Sequence, residues 1–196
     1  MSRTTRKRRN LALLGAASAL SALIAMQCAS PNSDPSGSAA VAAWKVVYGV
    51  LEHPRCVNCH PAGAAPLQGD DEHPHAQNVQ RGTDGQGLYA LRCDACHQTQ
   101  NLAGAHLPPG APNWHLPRAD MTLVFEGRGS GDLCRQLKDP KRNGGKTLEQ
   151  LYAHVDRDPL VLWGWSPVEG RAPVSTSHAD LVRAMRTWID GGCGCP

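Results

Sequence analysis

The sequence predicts a mainly α protein of short helices joined by long loops. Three observations carry that expectation. Apolar residues recur at helical spacing in several short windows. Signals for helix starts stand directly before two of those windows. Between them lie stretches rich in Gly and Pro, which interrupt long regular elements. At 196 residues the chain has the length of one domain, or of one domain with two closely joined halves.

The elements follow in order. Arg3, Arg6, Lys7, Arg8 and Arg9 open the chain with no acid among them, and an apolar run extends from Leu11 to Met26. A polar stretch rich in Pro, Ser and Gly follows, from Ser30 to Ser38. This order predicts a secretory signal over residues 1–28 and a flexible linker over residues 29–38. The apolar run has 16 residues, short of the about 20 that span a bilayer, so a membrane anchor is the weaker reading. Arg8-Arg9 faintly resembles a twin-arginine signal, but such a pair is common by chance in a basic segment. Cys28 stands where a lipid-bearing cysteine would. Ala25-Met26-Gln27 before it fit poorly with the small residues that lipoprotein processing prefers, so a lipid anchor is not favoured. No other stretch reads as a membrane span. Removal of residues 1–27 leaves 15 basic against 17 acidic side chains, a net charge of −2. The mature protein therefore has no basic footprint for nucleic acid.

Residues 39–196 read as the folded domain. Val41, Trp44, Tyr48 and Leu51 predict a helix, and Gly85 to Cys96 a second, short one. Leu133, Cys134 and Leu137 mark a third, ended by Pro140 and the Gly144-Gly145 turn. Thr147 with Gln150 forms a capping box for Leu148, Leu151, Tyr152 and Val155. Ser177 with Asp180 does the same for the last helix, whose core face includes Leu181, Met185 and Trp188 and which Gly191-Gly192 ends. Met185 on that face reads as a core residue.

Two of these helices lead into a repeated motif. Cys56-Val57-Asn58-Cys59-His60 and Cys93-Asp94-Ala95-Cys96-His97 are both C-x-x-C-H. Two cysteines three apart on one turn can reach the two vinyl groups of one porphyrin as thioethers, and the next histidine then stands under the iron. Zinc ribbons separate their cysteine pairs by roughly 15–20 residues, whereas 33 residues lie between Cys59 and Cys93. A thioredoxin-like pair would need a strand–helix unit, and no strand-type alternation surrounds either pair. Disulfides alone leave the two histidines unexplained. The motifs therefore predict two haem c groups. They complete the fold class as cytochrome c-like, with short helices and long loops wrapped around two covalently bound haems in place of a conventional core.

Each iron needs a sixth ligand or an open position. His75 and His115 are the first candidates, and His106 the next, because they lie in loops that can cross to the opposite haem face. Pro108, Pro109, Pro112 and Pro117 would stiffen the second crossing. Met121 remains a candidate, and His53 reads as a helix-end residue. His73, His154 and His178 are the other histidines. Trp114, Trp163 and Trp165 stand in loops and are equally readable as haem shields or as ordinary packing. Of the remaining cysteines, Cys134 with Cys195 is the preferred disulfide, leaving Cys193 free or paired with Cys28.

The strings HPRCVNCHPAGAAPLQGD, HAQNVQRGTDGQG, RCDACHQTQN, PPGAPNWHLP, LCRQLKDPKRNGG and DPLVLWGW resemble small exported dihaem cytochromes of Gram-negative bacteria, of the kind labelled isoquinoline 1-oxidoreductase subunit. The resemblance runs from about His53 to Pro196. It implies a periplasmic electron carrier whose redox partner is a molybdenum hydroxylase on a separate chain. The motif residues carry over at Cys56, Cys59, His60, Cys93, Cys96 and His97. A dihaem enzyme such as a peroxidase is the alternative, and it needs one five-coordinate or easily opened haem. A haem-based sensor or binding module is the third reading.

Overall fold

The computed structural model describes residues 35–121 and 123–196. The expected signal over residues 1–28, with Cys28, lies outside the described residues. Helix α1 runs from Pro35 to Leu51 and so begins four residues before the expected domain start at residue 39. Proline is favoured in a first helical turn, where its missing N–H leaves no intrahelical bond unmade. Ala40, Ala43, Trp44, Val47, Val50 and Leu51 are buried at the three- and four-residue steps of one helix face.

That face packs along α6 (His178–Asp190), which contributes Leu181, Met185, Trp188 and Ile189. The Trp44 and Trp188 rings lie 5.2 Å apart at 44°. Both indoles are fully buried, and both N–H groups are satisfied: Trp44 donates to Ser130 Oγ at 2.9 Å and Trp188 to the Gly194 carbonyl at 3.0 Å. Helix α2 is the single turn Pro54–Val57. Helix α3 (Ser130–Lys138) adds Leu133, Cys134 and Leu137 to the core. Helix α4 (Leu148–Arg157) begins with the full capping box, Thr147 N–H donating to Gln150 Oε1 at 2.9 Å and Gln150 N–H to Thr147 Oγ1 at 3.2 Å. It packs on α6 and runs into the short α5 (Pro159–Leu162).

The described residues are 38 % helical against 5 % strand, so the mainly α expectation stands. Two finer expectations are corrected. Helices α1, α3, α4 and α6 bury a continuous apolar cluster of their own, so the fold has a conventional core. Ala and Val at helical steps, together with the Trp pair, supply it despite the single Phe. The predicted helix over Gly85 to Cys96 is instead a tight hairpin, β3 (Gly87–Leu88) against β4 (Leu91–Arg92), followed by a 3₁₀ turn at Cys93–Ala95. Gly87 adopts φ +93°, and a Cβ there would meet the Leu91 carbonyl oxygen at 2.5 Å, so glycine breaks the helix and closes the hairpin. A second small hairpin joins β1 (Leu67–Gln68) to β2 (His73–Pro74), a partner for the strands that alternation could not signal at two residues each.

Cys134 and Cys195 form the preferred disulfide, with Cα atoms 5.7 Å apart. Cys193 is disulfide-bonded as well, which corrects the reading that leaves it free; Cys28 lies outside the described residues. Among the described residues no helix is long and apolar enough to cross a membrane. The Cys134–Cys195 bond closes a loop of 61 residues. Loop-closure entropy assigns it about 4 kcal/mol. Cys195→Ser is expected to lose most of that in guanidinium unfolding, and an unchanged midpoint would show that the cross-link carries no stability.

Candidate functional site

The two C-x-x-C-H motifs reach the same local geometry from different entries. The first is delivered by α2, capped by His53, whose Nδ1 accepts from the Arg55 N–H at 3.2 Å. The second leaves the β3–β4 hairpin through its 3₁₀ turn. In each, the second cysteine N–H donates to the first cysteine carbonyl at 3.2 Å. The histidine N–H donates to that same carbonyl, at 3.2 Å for His60 and 2.8 Å for His97. One turn thus carries both thiols and the histidine.

The histidine side chains also share a setting. His60 Nδ1 lies 2.7 Å from the Leu123 carbonyl oxygen, and His97 Nδ1 lies 2.7 Å from that of Pro109. A carbonyl only accepts, so Nδ1 carries the proton in both rings and Nε2 keeps a free lone pair. Each ring is clamped by a stack: Phe125 on His60 at 3.9 Å and 16°, Trp114 on His97 at 4.5 Å and 3°. Apolar surroundings push the His60 pKa down to about 3 and lower that of His97, so both are neutral at ordinary pH. A neutral imidazole with its Nδ1–H fixed by a backbone carbonyl is the form that binds a metal.

Each motif opens onto its own cavity. The first, about 320 Å³, is lined by Cys56, Cys59 and His60, with His115, Met121 and His154 and an apolar wall including Leu151, Leu181 and Met185. The second, about 430 Å³, is lined by Cys93, Cys96 and His97, with His75, His106, Trp114, Trp163 and Arg171. Volumes of this order suit a cofactor-sized ligand. Arg55, Cys59 and Leu116 line both, so the two chambers share a wall.

In the second cavity the His75 and His97 ring centres are 6.3 Å apart at 71°. That separation would leave room for both rings to hold one metal ion, whose bonds to imidazole nitrogen run about 2.0–2.1 Å. Exposed His106 lies on the rim, its ring against Gly170. His115 falls in the first cavity, its Nδ1 donating to the Asn113 carbonyl at 2.6 Å. His154 also lines that cavity and was not among the sequence candidates. The signal that could have found it is Asp158 four residues on, at the end of the same helix.

The thiols argue against a thioredoxin-like redox pair. Cys56, Cys59, Cys93 and Cys96 are free while Cys134, Cys193 and Cys195 are bridged. Loss of solvation pushes Cys56 up to about 12 and Cys59 up to about 11, and raises Cys93, the reverse of a redox-active thiolate. Among the described residues, no three His, Cys, Asp or Glu side chains converge as metal-ion ligands.

Unpaired donors give a further test of fit. Arg55, whose side chain is 2 % exposed, pairs with Asp70 and donates to the Gly69 carbonyl at 2.9 Å, yet its Nε has no partner. Arg171 Nη1 is likewise buried and unpartnered, and both side chains line the second cavity. Buried guanidinium donors demand acceptors, and the carboxylates of a haem would supply them. The thiol pairs, the prepared imidazoles, the apolar walls and these donors all fit a haem in each chamber.

No protein-family model matches the chain, and no curated protein or solved structure matches it either. In the chain folded without cofactor, exposed Cys96 is expected to be alkylated well ahead of Cys56 and Cys59 at pH 8. A thiol of pKa about 12 is ionised there to roughly one part in 10,000. Equal rates, read by peptide mass spectrometry, would contradict the apolar setting of the first motif.

Proposed function

We propose that this chain is an exported c-type cytochrome that carries two haem c groups and transfers electrons without catalysing a reaction itself. The observation that carries the reading is the repeated tie from a motif histidine Nδ1 to a distant backbone carbonyl at 2.7 Å, once in each cavity. Cys56 and Cys59 would hold the first haem, Cys93 and Cys96 the second, with His60 and His97 as proximal ligands. Each bound haem supplies a one-electron iron couple.

The protein's own residues do the rest. Leu123 and Pro109 orient the two imidazoles, and Phe125 and Trp114 stop them rotating. Arg55 and Arg171 offer donors to haem carboxylates. The shared wall of Arg55, Cys59 and Leu116 favours a short path between the centres. His75, its ring centre 6.3 Å from that of His97, would offer a second imidazole to the iron that His97 would hold, which suits a carrier better than a peroxidase or a gas sensor. The redox partner is a separate protein in the periplasm. The resemblance of the motif-bearing strings points to a molybdenum hydroxylase, whose substrate electrons this chain would accept.

The test is an intact mass and a pyridine haemochrome spectrum of the chain exported with a haem-maturation system. Two added haems of c type are expected, with no spectral shift of the reduced protein under carbon monoxide. One haem would reduce the reading to a single-centre carrier. Bound zinc and no haem would overturn it, and carbon monoxide binding to the native protein would favour the enzyme or sensor reading.

A further inference from the structure

The first cavity leaves a question that the second does not. His60, His115 and His154 line it together with Met121, so three side chains compete to face the proximal histidine. Met121 is 38 % exposed and its methyl end packs toward Gly145. It also belongs to the segment that supplies Leu123 and Phe125 to His60, which starts it on the proximal side. His115 sits on a loop, its Nδ1 tied among the described residues to the Asn113 carbonyl two residues away.

His154 is held differently. It lies on α4, a helix fixed by its capping box and by packing on α6. Its Nδ1 is 2.9 Å from Asp158 Oδ2. A carboxylate only accepts, so Nδ1 carries the proton and Nε2 is free to ligate. Asp158 cannot swing away, because its other oxygen caps α5 by accepting the Leu160 N–H at 2.9 Å. A rigid helix and a doubly tied carboxylate keep a ligand in place better than a loop does.

On the dihaem reading, we propose that His154 is the distal ligand of the first haem and that Asp158 tunes it. A carboxylate on the far nitrogen makes an imidazole a stronger electron donor. Among the described residues His75 has no carboxylate partner: its Nδ1 is buried with no hydrogen-bond partner there, and the side chain that bonds the ring is the neutral amide of Gln77. The chain thereby makes two haems with the same attachment motif unequal, the first the harder to reduce.

The test uses the exported, haem-loaded chain, with haem content measured by mass in every variant. His154→Ala is expected to keep both haems and to open one of the two to carbon monoxide. His154→Met is expected to gain a sulfur-to-iron near-infrared band at one haem. Either signal supports the assignment. If both variants carry two haems, and the first stays closed while the second shows no band, the assignment is overturned, although the dihaem reading stands. A native chain without haem would instead sink the dihaem reading beneath it. Asp158→Asn preserves the cap on α5 and is expected to shift one of the two midpoint potentials upward and leave the other in place. Two unmoved potentials would overturn the tuning role.

Discussion

The site depends on one hydrogen bond made twice, from a motif histidine to a carbonyl elsewhere in the chain. A five-residue motif can place two thiols and an imidazole on one turn, but it cannot decide which way the ring faces. Leu123 does this for His60 across 63 residues, and Pro109 for His97 across 12. The first tie is reinforced in the backbone. Phe125 and Glu126 both donate to the His60 carbonyl, at 2.9 and 3.3 Å, and the Glu126 carboxylate accepts the Ala62 N–H at 2.7 Å. That segment runs directly into α3 and its disulfide, so the orientation of His60 is coupled to the helical core.

Buried arginines connect the loops around both motifs. Arg81, 2 % exposed, donates to the carbonyls of Pro61, Gly63 and Pro117. It thereby joins the exit of the first motif to the loop that carries Trp114. A guanidinium suits this task because its fork reaches several acceptors at once. Arg55 does the corresponding work between the cavities, with Asp70 offsetting its charge and Trp163 beneath it at 5.7 Å. Asp70 in turn accepts the Ala172 N–H at 3.1 Å, which draws the segment bearing Arg171 onto the second cavity. Coil that would otherwise be loose is pinned by charge-assisted bonds around the place where two cofactors would meet.

Much of this was legible in the sequence, and the parts that were not share a physical cause. The starts of α4 and α6 and the end of α6 follow from local signals, because a cap or a Gly stop acts within a few residues: Thr147 with Gln150, Ser177 before Asp180, Gly191 at the end. The motif residues were legible because covalent chemistry needs fixed spacing. The β3–β4 hairpin was not, because it turns on glycine conformations that a run of mixed residues conceals. The helical core was underrated because Ala40, Ala43 and Val47 contribute by close fit rather than size. His154 escaped for a related reason. A histidine inside an amphipathic helix looks like ordinary packing until the fold brings that helix beside His60, 94 positions earlier.

The two motifs are alike, yet their surroundings are not, and this difference bears on how electrons would move. The first cavity is backed by helices, with Leu151, Leu181 and Met185 in its wall and the Asp158 carboxylate behind one of its histidines. The second is built from loops held by prolines and tryptophans, with the unpaired guanidinium atoms of Arg55 and Arg171 beside it. Reduction removes one positive charge from an iron centre. A carboxylate tied to a ligand opposes that change, whereas a nearby guanidinium favours it. Both effects have the same sign for direction: in the dihaem reading they make the first centre the donor and the second the acceptor. Arg55 lies in the wall between them, where its charge acts on both and the Asp70 pair moderates it. Arg118 and Lys146 also line the first cavity and act against its carboxylate, so in the dihaem reading the ordering rests on the direct bond between His154 and Asp158 rather than on the charges around each cavity.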